Sequence, residues 1–324
     1  MSDPLGVLAA ALGDRAQLGA PLGARTTYRV GGPAAVLVEA DVEEDLHAVH
    51  EALCRLAREV PVLVVGQGSN LLVADRGFDG LVVVLGQGLS EITVPASPGG
   101  DGASAGTSLH VVAGGGARLP VVARQSAAAG LRGLEWAVGV PGSVGGAVRM
   151  NAGGHGADLA SVLRACRVFD LGTGTVTDRG ASAMGFGYRS SALRPGEVVV
   201  RADLAVRRGE RARAEAAVAD VVRWRRAHQP GGANAGSVFT NPPGDAAGRL
   251  VEAAGLKGYR HGSAAVSDKH ANFVQADAGG SADDVRAVIE HVRAEVARRS
   301  GVELVPELVM VGFERALDGV VAVR

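Results

Sequence analysis

The chain has 324 residues, of which 47% are hydrophobic and 21% charged, and its formal net charge is −1. Length and apolar content point to a globular protein of about two domains. The balanced charge gives no general pull toward nucleic acid or an anionic membrane, and no apolar run reaches the roughly 18 residues that span a bilayer.

Aromatic residues are 3% of the chain, so the core has to be aliphatic. Cys54 and Cys166 are too far apart for a zinc pattern or a disulfide framework. No basic segment opens the chain at Met1-Ser2-Asp3-Pro4 as a secretory signal would, so the expected setting is a reduced cytoplasm.

Residues 1–20 read as a loose or helical lead-in and 35–39 as a strand. Asp41 offers an N-cap with Glu44 three residues on, as in a capping box. Leu46, Val49, Leu53, Leu56 and Val60 follow at steps of three and four, which predicts an amphipathic helix ended by Pro61. Val62–Val65 is then a short buried strand, completing a β-α-β segment. A second apolar run, Leu81–Leu85, precedes a turn-rich stretch at 95–107 that reads as a hairpin tip, with His110–Ala113 as the returning strand. Leu119, Val122, Ala123, Ser126 and Ala127 predict a helix of small residues stopped at Gly130. Residues 131–156 are rich in glycine with little periodicity, and 162–206 alternate short strands and turns.

The pattern changes near residue 207. A charged helix covers 210–226, with Val218, Val221 and Val222 on its apolar face. A Gly-rich loop (230–237) and a helix (245–254) ended by Gly255 follow. Ser281 caps a long helix carrying Val285, Val288, Ile289, Val292 and Val296, and Leu304–Val311 is a final strand. A domain boundary falls at about 203–209.

Gly66-Gln67-Gly68-Ser69-Asn70-Leu71 follows a strand, but Leu71 stands where a dinucleotide fingerprint needs its third glycine. Its N–H groups can still form an anion-binding nest. Gly139, Pro141, Gly142, Ser143, Gly145 and Gly146 make a second segment that a large group can approach closely, and Asn151-Ala152-Gly153-Gly154 continues it. With Gly114-Gly115-Gly116, these segments argue for one large bound nucleotide. Arg189, Ser237 and Glu307 are single polar groups with bland readings: a surface arginine, a loop serine, an edge-strand carboxylate facing water. Buried, Glu307 would carry a raised pKa and could serve as an acid. His47, His50 and Cys54 share a helix face, but without further ligands a solvated face is the better reading and no metal is expected. The two lysines, Lys257 and Lys269, fall close together.

Seven segments carry a family likeness: TTYRVGG (26–32), VGQGSNLLV (65–73), GLEWAVGVPGSVGGAVRMNAGG (133–154), FGYRSS (186–191), AGSVFTNP (235–242), GLKGYRHGSAAVSDKHANF (255–273) and VPELVMVG (305–312). In this order they resemble the UDP-N-acetylenolpyruvoylglucosamine reductases of bacterial peptidoglycan synthesis, in their shorter subtype. The resemblance implies an α+β fold. It has a vanillyl-alcohol-oxidase-type FAD-binding domain at 20–203, in lobes of about 20–83 and 84–203. A smaller α+β substrate-binding domain follows at 209–303, and a C-terminal strand within 304–324 returns toward the FAD domain.

The same resemblance implies non-covalent FAD, held through Gly66, Gln67, Gly68, Ser69, Asn70, Leu71, Gly139, Pro141, Gly142, Ser143, Gly145, Gly146 and Asn151. NADPH would reduce the flavin and leave, and the enolpyruvyl UDP-sugar would then receive hydride at its vinyl carbon. Arg189 matches the cation facing the substrate carboxylate, Ser237 the proton donor and Glu307 the carboxylic acid. Tyr188, Asn241 and His270 match substrate-pocket positions. His228 stands where the family often has lysine, a departure that bears on pyrophosphate binding, since histidine is charged only part of the time near neutral pH. The implied protein is a cytoplasmic monomer serving cell-wall synthesis, cell shape and division, without nucleic-acid or membrane partners. The competing readings are an FAD-linked oxidase of another small substrate and a nucleotide-sugar binder that has lost flavin.

Overall fold

In the computed structural model, residues 3–95, 109–313 and 321–323 are described. Pro4–Leu12 forms helix α1, whose first N–H groups at Leu5 and Gly6 donate to the Asp3 carboxylate. Strands Ala34–Ala40, Phe78–Leu85 and Val60–Val65 lie parallel in that spatial order. Their near-continuous apolar sequences suit a sheet covered on both faces. Val36, Val38, Leu81 and Val83 pack with Leu46, Val49 and Leu53 of helix α2 (Glu43–Cys54). Leu37, Leu63, Val82 and Val84 belong to a separate cluster with Leu71 and Val73. Antiparallel strands Gln17–Ala20 and Val321–Val323 close the two edges.

Helix α2 is shorter than its apolar spacing predicts. In place of an Asp41–Glu44 box, the Asp45 carboxylate accepts from the N–H groups of Asp41 and Val42 at 3.0 and 3.2 Å. The helix stops at Cys54, so Val60 and Pro61 open the next strand instead of ending the helix. On α2, His47 packs edge-on against Phe169 and the His50 ring contacts the Leu171 carbonyl. The described residues hold no group of three metal-ligating side chains.

The second sheet is antiparallel, in the order Thr175–Gly180, Leu163–Asp170, Glu197–Arg208, Leu109–Gly114, Ile92–Thr93. The hairpin tip expected over 95–107 lies outside the described residues from 96 onward. Helices α3 (Leu119–Ala128), α4 (Val144–Arg149) and α5 (Arg211–His228) pack onto this sheet through one aliphatic cluster. Helix α4 falls in the stretch without visible periodicity, because six residues are too few to display one. Ser143 caps it, its hydroxyl accepting from the Gly146 N–H at 3.2 Å. Val218, Val221 and Val222 seat the charged α5 on this second lobe.

Helix α6 (Ala247–Ala253), strands Arg260–His261, Ala264–Val266 and Val274–Ala276, and helix α7 (Ala282–Ser300) build a third core. Tyr28, Val30, Leu72 and Ala74 from the N-terminal part penetrate it. Asp75 also reaches across: its carboxylate accepts from the Ser281 hydroxyl and from the N–H groups of Ala282 and Asp283, at the start of α7. Lys269 donates to the Arg226 carbonyl in the last turn of α5, and Lys257 pairs with Glu252. The expected strand Leu304–Val311 is reduced to Val309–Val311, parallel to Leu71–Val73. Pro306 has no N–H to extend that ladder, and the Glu307 N–H goes instead to the Val238 carbonyl at 2.8 Å.

Candidate active site

A cavity of ≈ 320 Å³ opens where these three cores meet. Gly66, Gln67, Gly68, Ser69, Asn70 and Leu71 line one wall; Gly139, Pro141, Gly142, Ser143, Gly145 and Gly146 line another. The two glycine segments meet closely. A Cβ added at Gly66 would stand 2.0 Å from Ser143 Oγ, and one at Gly142 2.7 Å from Ser69 Oγ. Gly68 adopts φ +57°, and the N–H groups of Gln67, Gly68 and Ser69 find no acceptor among the described residues. Donors without a protein acceptor beside a left-handed glycine are what an anion-binding nest offers, and they would suit a pyrophosphate. The N–H groups of Val144 and Gly145 are taken by the carbonyls of Ala117 and Gly115, so the third glycine segment, whose Gly115 also lines the cavity, braces this wall.

Arg189, Ser237 and Glu307 converge on the same cavity. Arg189 sits at the tip of a tight turn in which Gly187 and Ser190 exchange both backbone hydrogen bonds, and it holds φ +55°. Its Nε lies 2.8 Å from Glu307 Oε1. Glu307 does not face bulk water: burial raises its pKa, and the Arg189 charge opposes that rise. The segment after Ser237 is clamped by Asn272, which accepts from the Phe239 N–H and donates to its carbonyl at 3.0 and 2.8 Å. Asn70 donates to the Glu307 carbonyl at 2.9 Å, joining the glycine wall to the acid.

The other expected residues stand elsewhere. Tyr188 shares the Arg189 turn but is 65% exposed, with the Arg189 guanidinium over its ring. His228 lies outside the cavity lining; its ring stacks on Trp224 and its Nδ1 contacts the Trp224 carbonyl. Asn241 accepts from the Ala247 N–H at the start of α6. His270 accepts from the Asn272 N–H, and burial lowers its pKa. Asn151 is buried behind the wall, with both ends of its amide hydrogen-bonded to protein groups.

A model of an FAD-binding domain matches residues 33–180, and one of the UDP-N-acetylenolpyruvoylglucosamine reductase C-terminal domain matches 228–311. The chain is 43% identical over 295 residues to the UDP-N-acetylenolpyruvoylglucosamine reductase of Acidiphilium cryptum, covering 90% of each. It is 41% identical over 297 residues to that of Heliobacterium modesticaldum, covering 90% of this chain and 89% of the relative. The crystal structure of the reductase from Thermus caldophilus superposes with a TM-score of 0.76 at 34% identity, over 92% of this chain and 99% of that one. The chain belongs to the UDP-N-acetylenolpyruvoylglucosamine reductase family.

Family membership settles the fold as the two-lobed flavin domain with a smaller α+β unit, and the activity as that of an FAD-binding oxidoreductase. On this reductase fold the cavity lining includes two further arginines that sequence reasoning missed. Arg149 and Arg225 both line it, and burial lowers the pKa of each. Arg149 stood in plain view as a cation among small residues of the second glycine segment. Arg225 carried no signal in a helix full of arginines. Glu197 also lines the cavity, but its charge is neutralised locally. Burial pushes its pKa up, yet hydrogen bonds from Arg179 and Arg194 outweigh this and hold it at about 2. No helix among the described residues is long and apolar enough to cross a membrane.

Proposed function

We propose that the protein reduces UDP-N-acetylenolpyruvoylglucosamine to UDP-N-acetylmuramate with non-covalent FAD and with NADPH as hydride donor. It does so as a cytoplasmic monomer, in the peptidoglycan precursor synthesis that supports cell shape and division. The observation that carries this reading is the convergence of Arg189, Ser237 and Glu307 on one cavity walled by two glycine segments that meet closely.

The residues fit the cofactor. A Cβ would fill the crease between Gly66 and Ser143, and the free N–H groups of the 67–69 nest suit the FAD pyrophosphate. Bound FAD would supply the hydride-transfer chemistry linking NADPH to the vinyl carbon. The remaining work falls to side chains. Arg189 holds the substrate carboxylate and stabilises the negative charge that develops beside it. Ser237 delivers a proton to the adjacent carbon. Glu307, kept easier to protonate by burial, shares the carboxylate with Arg189. Arg149 and Arg225 offer the diphosphate the positive charge expected of His228, and Tyr188 meets the sugar nucleotide at the rim. In this reading the substrate-binding unit lies within 209–303, with α5 remaining seated on the second lobe.

An anaerobic visible spectrum tests the proposal. NADPH should bleach the flavin, and UDP-N-acetylenolpyruvoylglucosamine should restore its colour. Colour that returns only on admitting air would overturn the substrate assignment in favour of an oxidase.

A further inference from the structure

We propose that Asn151 is a positioning residue for Arg189, fixing through its buried amide the turn that carries the guanidinium. The inference rests on the reading of Arg189 as the cation that meets substrate.

The turn needs an anchor. Gly187 and Ser190 exchange two backbone bonds, which leaves Tyr188 and Arg189 at a two-residue tip. A tip of this kind is free to rock unless something outside it holds it. The Glu307 carboxylate meets the guanidinium itself, 2.8 Å from Nε, and three hydrogen bonds tie the turn and its flank to residues 149–153. Asn151 Nδ2 donates to the Gly187 carbonyl at 3.0 Å, Ser191 Oγ to the Arg149 carbonyl at 2.8 Å, and Arg189 Nη2 to the Gly153 carbonyl at 3.4 Å. The Asn151 bond is the one of the three made by a buried side chain, 7% exposed.

The chemistry of the site selects asparagine. Its Nδ2 also donates to Asp158 Oδ2 at 3.2 Å, and its Oδ1 accepts from the Ala160 N–H at 2.9 Å. A carbonyl and a carboxylate on one side and an N–H on the other settle which end of the amide is which. Both amide protons are then committed to protein acceptors, which leaves none for a cofactor. Asn151 also holds φ +39°, a left-handed conformation that asparagine tolerates better than most side chains. Aspartate would lose the donor, and glutamine or alanine would fit the backbone less well.

The test separates the two half-reactions in Asn151→Gly, which keeps the left-handed backbone and deletes the amide. Bound flavin and its anaerobic reduction by NADPH should stay within about twofold of the unsubstituted enzyme. Reoxidation by UDP-N-acetylenolpyruvoylglucosamine should slow about 10–100-fold, the scale of a misplaced reacting group. In an Arg189→Lys background the same change should add less than about threefold, because Asn151 acts through the group that Arg189→Lys has already altered. Asn151→Asp keeps the acceptor and removes the donor, and should show the same one-sided defect if Asn151→Gly does not fold. Loss of flavin, equal slowing of both half-reactions or full additivity with Arg189→Lys would each overturn the proposal. Failure of the substrate to reoxidise the unsubstituted enzyme would instead overturn the functional reading, and this role with it.

Discussion

Arg189 Nε and Glu307 Oε1 stand 2.8 Å apart, yet the carboxyl remains easier to protonate than a free glutamate. Desolvation is the larger effect, and the guanidinium offsets it only in part. A folded-state pKa above the unfolded value of 4.5 means that the folded protein binds this proton more tightly. Its contribution to stability is present below about pH 4.5 and is lost as pH rises through the folded value. Stability curves for the parent and Glu307→Gln from pH 4 to 8 should therefore show the parent losing ground to the variant as pH rises. The opposite slope would mean that Arg189 wins over burial.

Ser237→Ala removes from the cavity wall the hydroxyl proposed as proton donor, and little else. Flavin reduction by NADPH should stay near normal, while reoxidation by the enolpyruvyl substrate slows several-hundred-fold or more, the scale of a missing acid catalyst. Stopped-flow absorbance reads both rates. Equal slowing of the two would count against the role.

Gly142 holds φ +121°, and a side chain there would point at Ser69 Oγ across the crease. Gly142→Ala would combine backbone strain of about 1–3 kcal/mol with a wedge between the glycine walls. Purified variant should carry clearly less flavin per protein, measured by visible absorbance. Gly154→Ala is the control: its added Cβ meets nothing nearer than 3.8 Å, so it should keep the parent's flavin. Full flavin in Gly142→Ala would show that the crease does not seat the cofactor.

His228 lies outside the cavity, whereas Arg225, one turn earlier on α5, lines it. Gln229 lines it too and accepts from Arg225 Nε at 2.7 Å. Restoring lysine with His228→Lys should change the KM for the sugar nucleotide by less than about threefold. Arg225→Gln should raise it about tenfold or more, on the order of removing one charge-assisted hydrogen bond. A large effect of His228→Lys alone would return the anion-binding role to residue 228.

Much of this architecture was legible because long helices repeat their apolar residues often enough to be read. Val285, Val288, Ile289, Val292 and Val296 are all buried on α7, and Ser281 caps it as expected. The same rule misplaced the end of α2, since Leu56 and Val60 continue the spacing by coincidence while the chain has already turned toward a strand. The glycine walls and the polar trio were legible as motifs. The positions of Asn241, His270 and His228 were not, because local backbone groups claim them: the Ala247 N–H, the Asn272 N–H and the Trp224 carbonyl. Arg225 came to the cavity through the seating of α5 on the second lobe, which no local pattern encodes.

The pairing of Val309–Val311 with Leu71–Val73 sets an order of events during synthesis. Among the described residues, Glu307 and Val309 are the last of the cavity wall to leave the ribosome. Until then Leu71–Val73 lacks its ladder partner among the described residues, and the site has neither Glu307 nor the tie from Asn70. N-terminal parts fold first on a growing chain, so both glycine walls can assemble before the segment carrying Glu307 arrives to complete the described cavity.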